Sequence, residues 1–295
     1  MAIVLITGAA TDIGNLTAHA LARAGHTVYA SMRGLEGRNA SRAEQLLAEG
    51  QDQGLDLRVV ELDVTSQESA YQALDTIVRD AGRLDVVVHN AGHLYVGYVE
   101  AFTAEDIAHL FDINLLGAQR VNRAALPHMR GRGTGTLLYV GSTTSVCVPP
   151  FLGPYLASKF AFDALAMTTS YEVSQFGIET TIVLPGPFTH GTEHFPNAGH
   201  ASDQGVTAAY SALDPLVARN EEATNGLFDP AVDADPAAVA AEITRILSLP
   251  TGKKPFRSVV DFTESGVEDV VAVTEKSRRD FVTRLGFGEL LELRP

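Results

Sequence analysis

The sequence predicts an α/β fold in which a parallel sheet carries helices on both faces. Three observations support this fold class. Short apolar runs alternate with segments of helical periodicity along most of the 295 residues. The runs end in Gly, Asp, Asn or Ser, which are typical loop residues, and no unit of about 20 to 50 residues repeats. Strands that alternate with helices form parallel sheets through right-handed crossovers, so we expect a doubly wound sheet.

The predicted elements follow the chain in strict alternation. Apolar runs too short for helices predict strands at 3–6, 26–31, 57–62, 84–89, 135–140, 179–184 and 256–260. Helical periodicity predicts helices at 13–24, 40–50, 66–80, 103–129, 155–175, 237–249 and 267–285. Ligands of such sheets bind beyond the carboxyl ends of the strands, so the strand-end residues are the candidates for function.

We expect one domain over residues 1–295, because α/β domains commonly exceed about 250 residues. Residues 186–235 are rich in Gly, Pro, Asn, Asp and His, and have only one weak helical stretch, near 206–218. An insertion of this kind is usually a lid or a binding loop. Residues from about 250 to 295 form a C-terminal extension.

Composition narrows the class of protein. The net charge of −14 and the pI near 5.0 oppose a broad surface for nucleic acid or anionic membranes. No run of about 18 apolar residues is present, so we expect no membrane span. Cys147 is the only cysteine, the start lacks a basic signal region, and the histidines lack metal-binding spacing. These features predict a soluble, cytoplasmic protein without a metal site.

A hydroxyl, a phenol and an ammonium come together near the middle of the chain. Ser142 follows a predicted strand, and Tyr155 and Lys159 lie four positions apart on a predicted helix, hence on one face. A nearby cation favours the phenolate and so lowers a phenol pKa that is ordinarily about 10. Tyr155 is therefore a candidate acid or base, although such a pair also occurs by chance on amphipathic helices.

The turn between the first strand and the first helix is a candidate phosphate site. It runs from Thr7 and Gly8 through Asp12 and Ile13 to Gly14. Glycines in this position let the backbone approach a pyrophosphate at a helix N-terminus. Asp12 has a simpler interpretation, since Asp is also a favoured helix N-cap.

In combination these motifs resemble the short-chain dehydrogenase/reductase family. The glycine turn resembles the family's T-G-x-x-x-G-x-G, with Asp12 in place of the middle glycine, and S…Y-x-x-x-K matches with spacings of 155 − 142 = 13 and 159 − 155 = 4. Further matches are Asp63-Val64, Asn90-Ala91-Gly92, Asn114 in N-L-L-G, and Pro185-Gly186 followed by Thr189. The resemblance covers about residues 2–190 by motif. It implies a Rossmann fold and a nicotinamide dinucleotide.

The resemblance also implies roles for these residues. Tyr155 exchanges the proton, Lys159 holds the ribose, Ser142 binds the substrate oxygen, and Asn114 holds a water on the lysine. Asn114 would otherwise be a capped kink in the 103–129 helix. Asp63 and Val64 contact the adenine, the Asn90–Gly92 turn and the Pro185–Gly186 turn line the cofactor, and Thr189 contacts the nicotinamide carboxamide.

The identity of the dinucleotide depends on charge after the second strand. An acid there would bind the ribose 2′-OH and repel a 2′-phosphate. The chain has Arg33 instead, with no acid before Glu36, and an arginine can pair with a 2′-phosphate. We therefore favour NADP(H) over NAD(H), although Arg33 could be a solvated surface charge and Thr11 lacks the basic side chain of many NADP-using relatives.

The predicted function is hydride transfer between NADP(H) and a small hydrophobic ketone, aldehyde or secondary alcohol. Candidate pocket walls are mostly apolar; they are Leu94, Tyr95, Val148, Phe151, Leu152, Phe188 and Phe195. Two alternatives remain, an NAD-dependent alcohol dehydrogenase and a non-catalytic dinucleotide-binding sensor; a methyltransferase would not need the Ser, Tyr and Lys together. We expect a homodimer or homotetramer.

Overall fold

A seven-stranded, fully parallel sheet forms the centre of the molecule. The computed structural model describes residues 1–294, apart from the side chain of Glu221. The strands lie in the order β3-β2-β1-β4-β5-β6-β7, and every neighbouring pair is parallel. Their bounds are β1 Ile3–Ile6, β2 Thr27–Met32, β3 Leu57–Glu61, β4 Val86–His89, β5 Gly135–Val140, β6 Ile178–Pro185 and β7 Arg257–Val260.

Helices connect the strands. They are α1 Asp12–Arg23, α2 Ala40–Gln53, α3 Gln67–Ala81, α4 Ala104–Phe111, α5 Gly117–Arg132, α6 Gly153–Val173, α7 Gln204–Ala209, α8 Asp214–Ala218, α9 Asn220–Asn225, α10 Ala237–Ser248 and α11 Val267–Arg284. The predicted fold class, a doubly wound parallel sheet with helices on both faces, is thereby confirmed.

Alternate residues of each strand build two separate cores. In β1, Ile3 and Leu5 pack with α3, α5 and α6, while Val4 and Ile6 pack with α1, α2 and α10. Successive side chains of a strand point to opposite faces, and a sheet covered on both faces needs apolar residues at every position. This requirement explains why the strands read as continuous apolar runs.

The predicted helix over 103–129 is interrupted. The chain forms α4, then a π-helical segment over Asp112–Leu116, and then α5. Thr103 caps α4 through a capping box with Asp106. The apolar periodicity runs through the segment without a break, so the sequence pattern alone could not show the wider turn.

Residues 186–235 contain more helix than the single weak stretch that was predicted. α7, α8 and α9 lie within this region, and each is short. They are attached to the loop after β4: Tyr98 donates a hydrogen bond to Asp214, and Tyr210 donates one to Glu100. A third apolar cluster, which includes Tyr95 and Phe102, lies beneath them.

The strand order reverses between β1 and β4, which are neighbours in the sheet although β2 and β3 separate them in the chain. In sheets of this kind the crevice for ligands opens beyond the carboxyl ends of the strands at such a reversal. Within residues 1–294, no helix is both long and apolar enough to cross a membrane.

Candidate active site

A cavity of about 940 Å³ opens beyond the carboxyl ends of the strands. The predicted site residues that line it are Gly8, Asp12, Ile13, Arg33, Asp63, Val64, Asn90, Ala91, Gly92, Ser142, Tyr155, Lys159, Pro185 and Gly186. They come from the ends of six strands and the starts of two helices. The fold thus brings together groups that are up to about 180 positions apart in the chain.

Ser142, Tyr155 and Lys159 converge at one end of this cavity, and all three are buried. Ser142 lies just beyond β5, while Tyr155 and Lys159 lie one turn apart in α6. The Lys159 Nζ lies 5.8 Å from the centre of the Tyr155 ring and donates a hydrogen bond to the Val140 carbonyl at 3.2 Å. Two protons of the ammonium remain for other partners.

Burial shifts both ionisable groups of this cluster. It raises the pKa of Tyr155 to about 12, and hydrogen bonding with Ser142 opposes that rise. It lowers the pKa of Lys159 to about 8. The net shift of the phenol pKa is therefore upward, against the expectation of a more acidic phenol, because burial is its largest cause.

The Ser142 hydroxyl is oriented by Thr144. Its oxygen accepts hydrogen bonds from the Thr144 hydroxyl at 2.8 Å and from the Thr144 backbone N–H at 3.2 Å. A serine oxygen has two lone pairs and one proton. Since both lone pairs are used, the proton is left to be donated into the cavity. Thr144 was not identified from the sequence.

The glycine turn is held tightly against the end of β4. Gly8 has φ of 66°, and a Cβ on it would lie 2.8 Å from the Ala91 Cα. Thr7 lies outside the cavity lining, where its Oγ1 accepts hydrogen bonds from the backbone N–H groups of Asn90 and Ala91. Gly14 also lies behind the cavity surface, against Gly8 and Asn90. These two predicted residues shape the turn without lining it.

Asp12 lines the cavity with the rest of the turn, but it is not the helix N-cap. It is the first residue of α1, whose N-cap is Thr11, and it has φ of 54°. Its carboxylate therefore does not cap the helix. The Asp12 Oδ1 instead accepts a hydrogen bond from the backbone N–H of Glu193, at 2.6 Å.

Basic side chains surround the outer end of the cavity. Arg33 lies at the end of β2, as predicted, and Arg38 and Arg42 line the cavity beside it. Glu61 of β3 lies against this turn, and its carboxylate accepts hydrogen bonds from the backbone N–H groups of Gly34 and Leu35. Glu61 does not line the cavity. Arg38 and Arg42 were not predicted as cofactor-binding residues, although both follow the second strand.

Two predicted residues near the catalytic end do not line the cavity. Thr189 lies outside the lining, whereas Thr192 belongs to it. Asn114 is buried behind the site. It accepts a hydrogen bond from the His93 backbone N–H at 2.7 Å and donates to the His93 carbonyl and to Ser158.

The substrate end is mostly apolar. Of the predicted walls, Tyr95 and Phe151 lie outside the lining. The predicted walls that do line the cavity are Leu94, Val148, Leu152, Phe188 and Phe195.

His194 is a further residue of this end that the sequence did not single out, because a lone loop histidine carries no pattern. Its ring centre lies 5.7 Å from that of Tyr155, at 64°. Burial, with Lys159 and His93 adding to it, lowers the pKa of His194 to about 4, so the imidazole is neutral at pH 7.

Comparisons with known proteins agree with this geometry. Residues 2–201 match the sequence profile described as short chain dehydrogenase. The chain is 31% identical over 258 residues to a 3-ketodihydrosphingosine reductase of Bacteroides thetaiotaomicron, covering 88% of this chain and 87% of that protein. It is 34% identical over 215 residues to retinol dehydrogenase 8 of Bos taurus, covering 72% of this chain but only 65% of that protein.

Solved structures show the same fold. One is an alcohol dehydrogenase from the archaeon Thermococcus sibiricus complexed with 5-hydroxy-NADP. It superposes with a TM-score of 0.70 at 25% identity, over 89% of this chain and 97% of that one. The protein therefore belongs to the short-chain dehydrogenase/reductase family of oxidoreductases.

Proposed function

We propose that the protein is an NADP(H)-dependent oxidoreductase that transfers a hydride between its cofactor and a hydrophobic ketone, aldehyde or secondary alcohol. The observation that carries the proposal is the convergence of Ser142, Tyr155 and Lys159 on the cavity that also contains the glycine turn. We further propose one domain over 1–295, with residues 186–235 as the lid of this cavity.

The residues present fit a dinucleotide. Small-molecule sites occupy about 300–1,000 Å³, and the cavity of about 940 Å³ lies at the upper end of that range. The N-terminus of α1, which carries a partial positive charge, lines the cavity. A pyrophosphate would be held there. The Asp63–Val64 turn lines the outer part and Gly92 the inner part.

A bound nicotinamide would supply or accept the hydride. The protein's own side chains would donate and accept the proton. Tyr155 would donate its hydroxyl proton to the carbonyl oxygen in reduction and take it back in oxidation. Ser142 would donate a hydrogen bond to the same oxygen and stabilise the charge that develops there. Lys159 would hold the ribose hydroxyls with the two protons that Val140 leaves free.

The protonation state of Tyr155 at neutral pH suits its role as proton donor in carbonyl reduction. With a pKa of about 12, the phenol carries its proton at pH 7 and can donate it. Oxidation needs the phenolate, which the charge of Lys159 and of an oxidised nicotinamide would have to stabilise.

Removal of the Tyr155 hydroxyl tests the reaction. We expect Tyr155→Phe to lower kcat by about 10²–10⁴-fold, the usual contribution of a general acid, with the Kd for NADPH changed less than about threefold because the ring remains. Tyr95→Phe is the matched control, since Tyr95 lies in the neighbouring apolar cluster and outside the cavity lining. Turnover by Tyr155→Phe within tenfold of the parent would exclude Tyr155 as the proton donor.

The preference for NADP(H) is supported by charge at the outer end of the cavity. In a chain of net charge −14, three arginines gather there. Among residues 1–294, Arg33 and Arg38 form no ion pair. Both guanidinium groups can therefore bind a 2′-phosphate without breaking an existing pair.

Cofactor specificity tests this part of the proposal. We expect Arg33→Ala and Arg38→Ala each to lower kcat/KM with NADPH by about 10–100-fold, the value of a hydrogen bond to a charged group, and to leave kcat/KM with NADH nearly unchanged. Arg130→Ala, an exposed arginine outside the cavity, controls for net charge. A parent enzyme that prefers NADH would contradict the NADP(H) proposal and favour the NAD-dependent alternative.

The substrate class is supported by the apolar wall formed by Leu94, Leu152 and Phe195. The names of two relatives, a 3-ketodihydrosphingosine reductase and a retinol dehydrogenase, point the same way, since both refer to lipophilic molecules. His93 and His194, which line the cavity, could bind one neutral polar group of such a molecule. A panel of lipophilic and charged ketones, compared by kcat/KM, would identify the class.

A further inference from the structure

The residue at position 12 has an unfavourable backbone conformation. Asp12 has φ of 54°, in the left-handed region where glycine is at ease and other residues are strained. The family pattern has its middle glycine at this position. Aspartate tolerates this region better than most residues, and a contact of its side chain adds to its stability there.

The contact is a hydrogen bond to the loop that crosses the cavity. The Asp12 Oδ1 accepts the backbone N–H of Glu193 at 2.6 Å, and the Oδ2 accepts the Thr11 hydroxyl at 3.3 Å. The Glu193 carboxylate, in turn, lies 3.0 Å from Arg42 Nη2 on α2 and accepts a hydrogen bond from Asn197. We call residues 192–197 the strap. It is tied to the start of α1 and to α2.

The strap carries His194, the residue that covers Tyr155. Its ring lies edge-to-face with the phenol, at 5.7 Å between ring centres. Since Glu193 and His194 are consecutive, the hydrogen bond that Glu193 donates to Asp12 fixes the backbone one residue before the imidazole. Within the described chain, the His194 imidazole has no hydrogen bond of its own to hold it in place.

We propose that Asp12 is a positioning residue: its carboxylate fastens the strap so that His194 covers Tyr155 and the cavity closes over the bound dinucleotide. This inference rests on the proposed function. Asp12 acts through Glu193 and His194 and needs no contact with substrate.

A different role for Asp12 leads to the opposite expectation. If the carboxylate only repelled the pyrophosphate, its replacement by glycine would tighten cofactor binding. If it fastens the strap, the same replacement weakens binding, because the cofactor then escapes through an open strap. The two roles of Asp12 therefore predict opposite changes in the cofactor affinity of Asp12→Gly.

Two substitutions separate the hydrogen bond from the backbone strain. Asp12→Gly accepts φ of 54° without strain and removes the hydrogen-bond acceptor. Asp12→Asn also tolerates the left-handed region, loses the charge and retains an amide oxygen that can accept the Glu193 N–H. The comparison of Gly with Asn thus isolates the acceptor.

The first readout is hydrogen exchange of the Glu193 amide in the protein without cofactor. We expect exchange about tenfold faster in Asp12→Gly than in the parent, and near the parent's rate in Asp12→Asn. The midpoint of thermal unfolding of Asp12→Gly should equal or exceed the parent's, which would exclude global unfolding as the cause. Unchanged exchange at Glu193 in Asp12→Gly would overturn the proposal.

The second readout is the dissociation rate of NADPH, followed by its fluorescence. We expect dissociation about tenfold faster from Asp12→Gly and within about threefold of the parent from Asp12→Asn, with KM for the carbonyl raised more than kcat is lowered. Tighter NADPH binding by Asp12→Gly would overturn the proposal. Failure of the parent to bind either cofactor would refute the proposed function alone, since exchange at Glu193 would still decide the role of Asp12.

Discussion

The acidity of the Tyr155 phenol is set by two opposing effects at the scale of single residues. Burial raises its pKa to about 12 and lowers that of Lys159 to about 8, so the ordinary order of the two groups is inverted. At pH 7 the pair is therefore a neutral phenol beside an ammonium. A phenolate needs more positive charge than Lys159 alone supplies, and an oxidised nicotinamide would provide it.

Residues that do not touch the cavity still determine its shape. The Thr7 hydroxyl oxygen accepts hydrogen bonds from two backbone N–H groups of the turn after β4. Gly14 has no side chain, which lets that turn approach the start of α1. Motif matching found both, because the spacing of such residues is fixed. It could not distinguish a supporting residue from one that lines the cavity, since that difference depends on which way each group points.

At the scale of secondary structure, the π-helical segment Asp112–Leu116 places Asn114 behind the site. A π-helical turn is rare and often occurs at functional sites. Here the wider turn directs the Asn114 amide at both backbone groups of His93 and at the Ser158 hydroxyl. The amide thus joins the loop after β4 to α6, the helix that carries Tyr155 and Lys159.

Replacement of Asn114 tests this connection. We expect Asn114→Ala to lower the free energy of unfolding by about 1–3 kcal/mol, because it leaves buried groups of His93 without partners. Ser158→Ala removes only one of the three bonds to Asn114 and should cost less. Urea unfolding of both variants measures the difference. A smaller loss in Asn114→Ala than in Ser158→Ala would show that the amide does not hold the loop.

The strands were predictable because a sheet covered on both faces requires continuous apolar runs. β1 and β5 begin and end at the predicted residues. The break between α4 and α5 was not predictable, since it accompanies long-range contacts of Asn114 that the sequence pattern does not show. The weak helical stretch predicted near 206–218 falls on α7 and α8, whereas α9 was not predicted. These short helices bury little, and their stability comes from contacts such as that of Tyr98 with Asp214.

For the molecule as a whole, the net charge is negative, but one end of the cavity is locally positive. The chain carries −14, yet Arg33, Arg38 and Arg42 meet at one end of the cavity. Long-range attraction of an anionic cofactor is therefore weak, and binding must come from local contacts. The sequence predicted Arg33 alone, because α2 had to be placed against the cavity before Arg38 and Arg42 could be recognised.

A buried polar network in the core also couples the stability of the whole fold to pH. The His89 ring is stacked on Tyr139 at 4.6 Å, and its Nε2 lies 2.8 Å from the Asn122 amide oxygen. Burial lowers the pKa of His89 to about 4, although the Asn122 contact opposes the shift. In the unfolded chain the His89 pKa is near 6.5. As the pH falls, His89 therefore takes up a proton in the unfolded chain before it does so in the folded protein.

The stability that His89 contributes is full above pH 6.5 and is lost as the pH falls toward 4. Between pH 7 and pH 5 we expect the parent to lose about 2 kcal/mol more unfolding free energy than His89→Gln, since one pKa unit corresponds to about 1.4 kcal/mol. Glutamine keeps a polar group for Asn122 but does not titrate. His190→Gln, at an exposed position, controls for the loss of a histidine. Urea unfolding at the two pH values measures the effect, and an equal pH dependence in the parent and His89→Gln would show that His89 is not its source.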